Sequence, residues 1–466
     1  MESPKQKRIA IIGAGFSGMM TATHLIKNVI NAEIYLFDEN PKVGRGVAYA
    51  PYSKKQLLNV VAGKMSAFPE YPNHFVEWVL KQPSHNALDR NMIFNAFLPR
   101  DLYGKYLEKL WEAAKQEAAF SGIEVHVIKE RVTELDYKNN KTSILTASGF
   151  NMKFDACVIA TGNQLPGNPN ILDDSFYKSK RYFQNPWDLQ AVKGLSGDSV
   201  LILGNGLTMV DTVIGLLENG FNGKIISLSP NGFNILPHRH NGMVYEQLSK
   251  ELTGVDNLKD LVRLVYSHVR LVRTFGLTAE PIIDALRPHV QRFWQQFTLE
   301  EKKLFLKNYR HLWGVARHRI PMHIHDKIQR LQIEGRLQIL AGKIQDLRDI
   351  GDTVEVSFTN KDEFPSHLKV SRVINCTGPE SDLDKLEQHF LKTAKDEGIL
   401  VQDELKLGIQ TNVADFSIKN KNGKPQAGLY TIGANLRGEL WESTAVNELR
   451  QQAREIATIV SHYISI

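Results

Sequence analysis

Cysteine is scarce: Cys157 and Cys376 are the only two in 466 residues, and they form neither a CxxC nor a CxxxxC pair. A redox-active disulfide is therefore not readable, and both thiols fall in apolar, strand-like runs that suit core packing. No stretch offers the roughly 20 uninterrupted apolar residues of a membrane helix. The polar opening MESPKQKR runs straight into IAIIGAG, without the apolar h-region of a secretory signal, so a cytoplasmic, reduced setting is expected. No long Lys/Arg block is present. Lys plus Arg is 57 against 51 Asp plus Glu, a formal charge of +6, which suits an anionic small ligand and gives no nucleic-acid arm. With 42% apolar and 23% charged residues, the chain is neither disordered nor fibrous, and its length predicts about two to four domains.

Residues 8–18 read RIAIIGAGFSG. An apolar run ends in Gly13-x-Gly15-x-x-Gly18, a helical pattern follows, and a second strand, AEIYLFDEN, places Asp38 20 residues beyond Gly18. This strand–turn–helix–strand–acid order is that of a dinucleotide site. Gly13 permits the tight turn, Gly15 lets backbone approach a pyrophosphate, and Gly18 lets helix pack on strand. The helix N-terminus offers free N–H groups to phosphate, and Asp38 is placed to accept from ribose hydroxyls. The alternative is a bare structural turn.

A second copy begins at SVLILGNGLTMVDTVIGLL (199–217), with Gly204-x-Gly206, Thr208, and Met209 in place of the third glycine. Two such starts predict an α/β chain with two Rossmann-like dinucleotide-binding domains, although a degenerate repeat that binds nothing is the plainer reading of the second. Strands ending in a small-residue turn recur at ACVIATGN (156–163, Gly162) and RVINCTGPES (372–381, Gly378). A last strand-turn, GLYTIGANLRG, carries Gly433 and precedes a helix that Ser443 or Thr444 is expected to cap, with Glu448 in its early turns. Residues about 240–335 change character to helical periodicity and read as an all-helical insertion; Phe293, Trp294 and Phe297 predict helix–helix packing, with a lid as the sharper alternative.

This order resembles the two-dinucleotide-binding-domain flavoproteins. More closely, GRGVAY (44–49), LLNVVAGKMSAFPEYP (57–72), LPRDLYGKYL (98–107), NPWDL (185–189), GNGLTMVD (204–211), RHRIP (317–321) and GELWESTAVNELRQQA (438–453) resemble a bacterial family of FAD/NAD(P)-binding proteins. That family is similar in turn to class B flavin monooxygenases, including N-hydroxylating ones. The resemblance implies FAD on the first domain, built from about 1–170 and 365–466, and NADPH or NADH on a domain of 171–364. It places Gly433 near the ribityl–phosphate region and points the N–H groups of Glu442–Ala445 at the flavin. Helix capping alone is the bland reading of Glu442, Ser443 and Thr444.

The activity implied is an FAD-dependent NAD(P)H oxidoreductase, foremost a monooxygenase acting on a small amine, amino acid, sulfide or carbonyl compound with O2 through a flavin (hydro)peroxide. The rivals are a reductase passing electrons to a quinone or partner protein, and a non-catalytic nucleotide sensor. A homo-oligomer is compatible with either. Two departures stand out. The F-x-G-x-x-x-H-x-x-x-W-(P/D) pattern of class B monooxygenases meets YKSKRYFQNPWD here, with Tyr177, Ser179 and Phe183 replacing Phe, Gly and His. The third strand of the second domain ends Ser229-Pro230-Asn231-Gly232, without the arginine that would meet a 2′-phosphate; Arg239, Arg317 or Arg319 is left to substitute. Asn59 and Arg100 are the candidate catalytic residues, with Tyr103 and Tyr106 on one helix face as cavity lining or core. His318, His323 and His325 do not match a helical metal-ligand pair, so no metal is expected.

Overall fold

The computed structural model describes residues 6–40, 42–195, 197–239, 243–386 and 389–466. Contacts divide the chain into two compact units. The first is Met1–Pro51, Val60–Gln164 and Glu380–Ile466; the second is Tyr52–Asn59 and Leu165–Pro379.

In the first unit, the apolar run at the start forms β1 (Lys7–Ile12), followed by α1 (Phe16–Asn28) and β2 (Ala32–Phe37). After a stretch that holds the short helices His74–Leu80 and Arg90–Asn95 come α2 (Arg100–Phe120), β3 (Glu124–Ile128) and β4 (Ala156–Ile159). β1, β2 and β4 are buried nearly throughout, which is why they read as continuous rather than alternating apolar runs. β1 pairs in parallel with β2 on one side and β4 on the other, and β3 extends the sheet beyond β2. Strand Pro425–Thr431 returns from the C-terminal part of the chain to pair in parallel with β4, and Ser417–Lys419 closes the edge antiparallel to it. A three-stranded antiparallel sheet (Val132–Lys138, Lys141–Thr146, Asn151–Phe154) packs over one face. Their shared core gathers Ile12, Phe37, Phe154, Ile159, Leu391 and Leu429.

The second unit repeats the plan. In its seven-stranded sheet Ser199–Leu203 lies between Lys224–Ser229, the middle strand, and Arg372–Asn375, and is parallel to both. Leu337–Asp349 starts parallel to Lys224–Ser229 and continues into an antiparallel meander with Val354–Asn360 and Pro365–Val370. Because these last two strands and Arg372–Asn375 belong to this sheet, the second unit runs to Pro379 rather than ending at 364. Its entry falls at Leu165 rather than 171, and the short stretch Tyr52–Asn59 joins it from the first segment. Between Lys224–Ser229 and Leu337–Asp349 lie helices from Glu246–Glu251 to Met322–Ile333, interrupted only by the two-residue strand Arg319–Ile320. The expected insertion is thus helical; its first residues, 240–242, lie outside the described ones. Phe293, Trp294 and Phe297 are buried, as packing side chains are.

Candidate functional site

The glycine turn after β1 is built by close approach. Gly13 sits at φ +102°, where an added Cβ would lie 2.3 Å from the Ala160 carbonyl oxygen; one on Gly18 would lie 1.9 Å from the Gly13 oxygen. Neither position tolerates a side chain, for conformational and steric reasons respectively. Gly15 is the N-cap of α1; no side chain caps the helix and no acid lies in its first turn, so its N–H groups and partial positive charge are left for an anion. Asp38, just past β2, accepts from Ala14 N–H at 2.7 Å and Asn40 N–H at 2.8 Å. The carboxylate is therefore held against the glycine turn, with lone pairs remaining for further donors.

The C-terminal segment reaches the same turn. At Gly433 (φ +77°) an added Cβ would meet Ser17 Oγ at 3.5 Å, in the first turn of α1, and Leu449 Cδ2 at 3.1 Å. Gly433 N–H donates to Gln452 Oε1 at 3.1 Å, Ser443 Oγ donates to the Gly433 carbonyl at 2.7 Å, and Gln452 Nε2 donates to Ser443 Oγ at 3.1 Å. Ser443 is completely buried, and its hydroxyl is committed to this clasp. It does not cap the following helix. That helix, Val446–Ser465, has Ala445 as its N-cap with no side-chain cap, and Thr444 is exposed; the expected Ser443 or Thr444 cap is replaced by the clasp. Trp441 just before it is held at φ +59°, ψ −64°, with Glu442 N–H donating to the Leu440 carbonyl at 2.7 Å. This is a strained γ-turn, rare for a bulky residue, and the Arg437 guanidinium covers the Trp441 ring at 4.9 Å.

Arg45, within GRGVAY, is the hub of the first unit's other loop. Its guanidinium donates to both Glu108 carboxylate oxygens at 2.7 and 3.1 Å, to Asp101 Oδ1 at 2.8 Å and to the Tyr49 carbonyl at 3.1 Å. These partners raise its pKa, Glu108 most, and hold the Glu108 carboxyl low in turn. Gly104 of α2 allows the approach: a Cβ there would lie 2.5 Å from the Tyr49 oxygen and 2.6 Å from Arg45 Nη1. The loop so pinned passes over the glycine turn, with Gly44 N–H donating to the Ala14 carbonyl at 2.7 Å and Gly46 beside Gly15. Arg45, Gly104 and Gln452 went unread in the sequence. Only a three-dimensional partner list distinguishes them from ordinary surface arginine, helix glycine and helix glutamine.

In the second unit, Gly204 (φ +100°) repeats the close approach, here to the Cys376 carbonyl at 2.3 Å, and the space beside Gly206 is open. Gly206 is the N-cap of Leu207–Glu218, again without a side-chain cap or first-turn acid. Met209 is fully buried in this unit's core, which explains why the third glycine is dispensable. Gly162 and Gly378 end the two (A/C)TG turns at φ +66° and +100°, each with open space where a Cβ would project. The thiols of Cys157 and Cys376 are buried, which pushes both pKa values up, that of Cys376 to about 12; neither is a ready nucleophile.

The remaining candidates divide. Arg100 opens α2 in the first unit, whereas Asn59 ends the stretch that belongs to the second, where its carbonyl accepts from His238 Nε2 at 2.9 Å. They therefore do not form one shell within a unit. Tyr103 and Tyr106 are core residues: both are fully buried, packed edge or tilted against Phe75. Tyr106 shares its hydroxyl with His74 Nδ1 at 2.8 Å. Arg319 is not available to a phosphate, being 4% exposed and ion-paired with Glu280 and Asp284. Phe183 lies under the Arg372 guanidinium at 4.7 Å, and Tyr177 donates to the Pro169 carbonyl.

Residues 10–164 match the sequence family described as FAD-NAD(P)-binding. A 217-residue stretch, 45% of this chain, is 25% identical to the uncharacterized protein YdhS of Escherichia coli (strain K12), covering 39% of that protein. A 222-residue stretch is 23% identical to senecionine N-oxygenase of Tyria jacobaeae, covering 46% of this chain and 45% of that one. The chain thus spans less than half the length of either curated relative. Among solved structures, L-lysine 6-monooxygenase of Pseudomonas syringae superposes with a TM-score of 0.68 over 98% of this chain and 99% of that one, at 15% identity. Among the described residues no helix is long and apolar enough to cross a membrane. The fold is that of the two-dinucleotide-binding-domain flavoproteins, α/β with parallel sheets, and its first glycine turn lies within the segment that matches the FAD-NAD(P)-binding family.

Proposed function

We infer that this chain is an FAD-dependent, NAD(P)H-using oxidoreductase, and that it acts as a monooxygenase on a small amine, amino acid, sulfide or carbonyl compound. The observation that carries the reading is the uncapped, acid-free start of α1 at Gly15, with Asp38 drawn to Ala14 and Gly433 set against its first turn. These residues fit FAD. Gly13, Gly15 and Gly18 would seat the pyrophosphate, Asp38 the adenosine ribose, and Gly433 the neighbouring phosphate–ribityl region, with Gly162, Glu442, Ser443 and Thr444 around it. Gly204, Gly206, Thr208 and Gly378 would hold the nicotinamide nucleotide on the second unit. Bound FAD supplies the relay of two electrons from NAD(P)H to O2, with one oxygen atom going to substrate.

The chain's own work is placement. The Arg45 clamp holds the 44–49 loop over the turn, and the Ser443–Gln452–Gly433 clasp fixes the C-terminal approach. Asn59 and Arg100 are retained as substrate-contact candidates, to be tested separately because they belong to different units. The end of Lys224–Ser229 carries no cation and Arg319 is ion-paired, so NADH and NADPH both enter the reading, with Arg239 and Arg317 the remaining partners for a 2′-phosphate. Both buried thiols suit a cytoplasmic setting.

The test is oxygen uptake by FAD-loaded protein with each nucleotide across a panel of amines, amino acids, sulfides and ketones. A monooxygenase shows uptake stimulated by one class, matched by oxygenated product. Phe183 at the position where class B monooxygenases carry histidine favours one rival, a reductase passing electrons to a quinone or partner protein. That rival gives peroxide production constant across the panel.

A further inference from the structure

The first unit carries a cavity that shares no residue with the glycine turn. It is a groove of about 850 Å³ walled by Trp78, Leu102 and Trp111, with Val43 and Val127 behind them. That volume lies within the range of sites that take a small organic ligand. Its rim is strongly basic: Lys42, Lys105, Lys109, Lys115 and Lys129 line it against two acids, Glu108 and Glu112. The acids are spoken for. Glu108 is held by Arg45 and Glu112 pairs with Lys115 at 2.9 Å, while Lys105 pairs with Asp101 at 3.0 Å. Lys42, Lys109 and Lys129 are exposed and make no ion pair among the described residues. Three exposed ammonium groups on one rim, beside a partly exposed indole, set up a positive potential that draws an anion.

We propose that this groove binds a small aromatic anion, its ring against the partly exposed Trp78 and its phosphate or carboxylate among Lys42, Lys109 and Lys129. Indole faces recognise a flat ring by dispersion and stacking. Clustered lysines recognise compact negative charge without the planar geometry an arginine fork would impose. None of Gly13, Gly15, Gly18 or Asp38 lines the groove, and its occupancy is read by binding alone, without reference to the proposed reaction.

The test is calorimetric titration of the FAD-loaded protein with 1-naphthyl phosphate and, separately, 1-naphthoate, with 1-naphthol and inorganic phosphate as half-ligands. Saturable binding of one naphthyl anion, with both half-ligands at least tenfold weaker, supports the proposal; which anion binds better distinguishes phosphate from carboxylate. The double variant Lys109→Glu/Lys129→Glu alters only exposed side chains. It should weaken binding by roughly tenfold or more, reversing two charges at the head group, with FAD content unchanged. Heat that is absent for both anions overturns the proposal. So does binding seen only in FAD-free protein, since the groove would then belong to the cofactor, and so does binding unmoved by the double variant.

Discussion

Single atoms decide the turn that begins this fold. A Cβ on Gly18 would occupy the space of the Gly13 carbonyl oxygen, at 1.9 Å, so Gly18→Ala should yield protein that neither retains FAD nor melts cooperatively; flavin content per chain and a thermal melt report both. Asp38→Asn keeps the shape but removes the charge, and should weaken FAD retention with the fold intact, read by flavin released on dilution. Titration follows the same logic. His24 on α1 is 5% exposed with Nε2 unpartnered among the described residues, and burial lowers its pKa from 6.5 to about 4, against an opposing pull from Glu70. The folded state thus keeps His24 neutral where the unfolded chain takes up a proton. Stability from this residue is present above about pH 6.5 and is lost as pH falls toward 4, amounting to about 2 kcal/mol between pH 7 and pH 5. Urea unfolding at the two pH values should show at least that loss, and His24→Leu should reduce it by about that amount, with His389, whose pKa burial also lowers to about 4, left to contribute the same way.

At the level of elements, two helical glycines have opposite roles. Gly104 lets the Arg45 loop touch α2, and an alanine there would clash with backbone at 2.5 Å. Gly104→Ala should lower the melting temperature despite alanine's better helix propensity. Gly314, in the helix Arg310–Arg317, has nothing within 4 Å of its absent Cβ and no positive φ. Gly314→Ala should therefore raise stability by up to about 1 kcal/mol. A melt of both variants checks the pair. The contrast also shows where a sequence is legible. Strands β1, β2 and β4, the glycine turns, Asp38 and the helical insertion announce themselves by period, spacing and punctuation, because local backbone chemistry dictates them. Ser443 was read as a cap since it precedes a helix. Its hydroxyl instead serves Gly433, ten residues back, and no local pattern encodes that choice. Arg45 and Gly104 are silent for the same reason: their meaning is a contact across a loop and a helix 56 to 63 residues apart.

For the molecule as a whole, boundaries were the least legible feature. Arg372–Asn375 has the same apolar character as the strands of the first sheet, while Pro365–Val370 is mixed and largely exposed, and only pairing assigns both to the second. Tyr52–Asn59 is harder still, a short loop that sides with the second unit by seating the Tyr52 ring beside Gly215 and pairing Lys55 with Glu218 at 3.2 Å. Replacing Glu218 with Gln removes that pair, whose lysine is solvent-exposed, and leaves an oxygen to accept from Ser53, so it should cost little stability, below about 1 kcal/mol, as a melt of the variant would show. The proposed activity begins at the first turn, where bound FAD would take electrons from NAD(P)H and give them to oxygen. Anaerobic mixing of the purified, FAD-loaded protein with NADH and with NADPH, followed by admission of oxygen, tests it most directly. Loss of the yellow flavin colour with at least one nucleotide, and its return with oxygen, is the predicted result. Protein that binds no FAD, or whose flavin keeps its colour with both nucleotides, would contradict it.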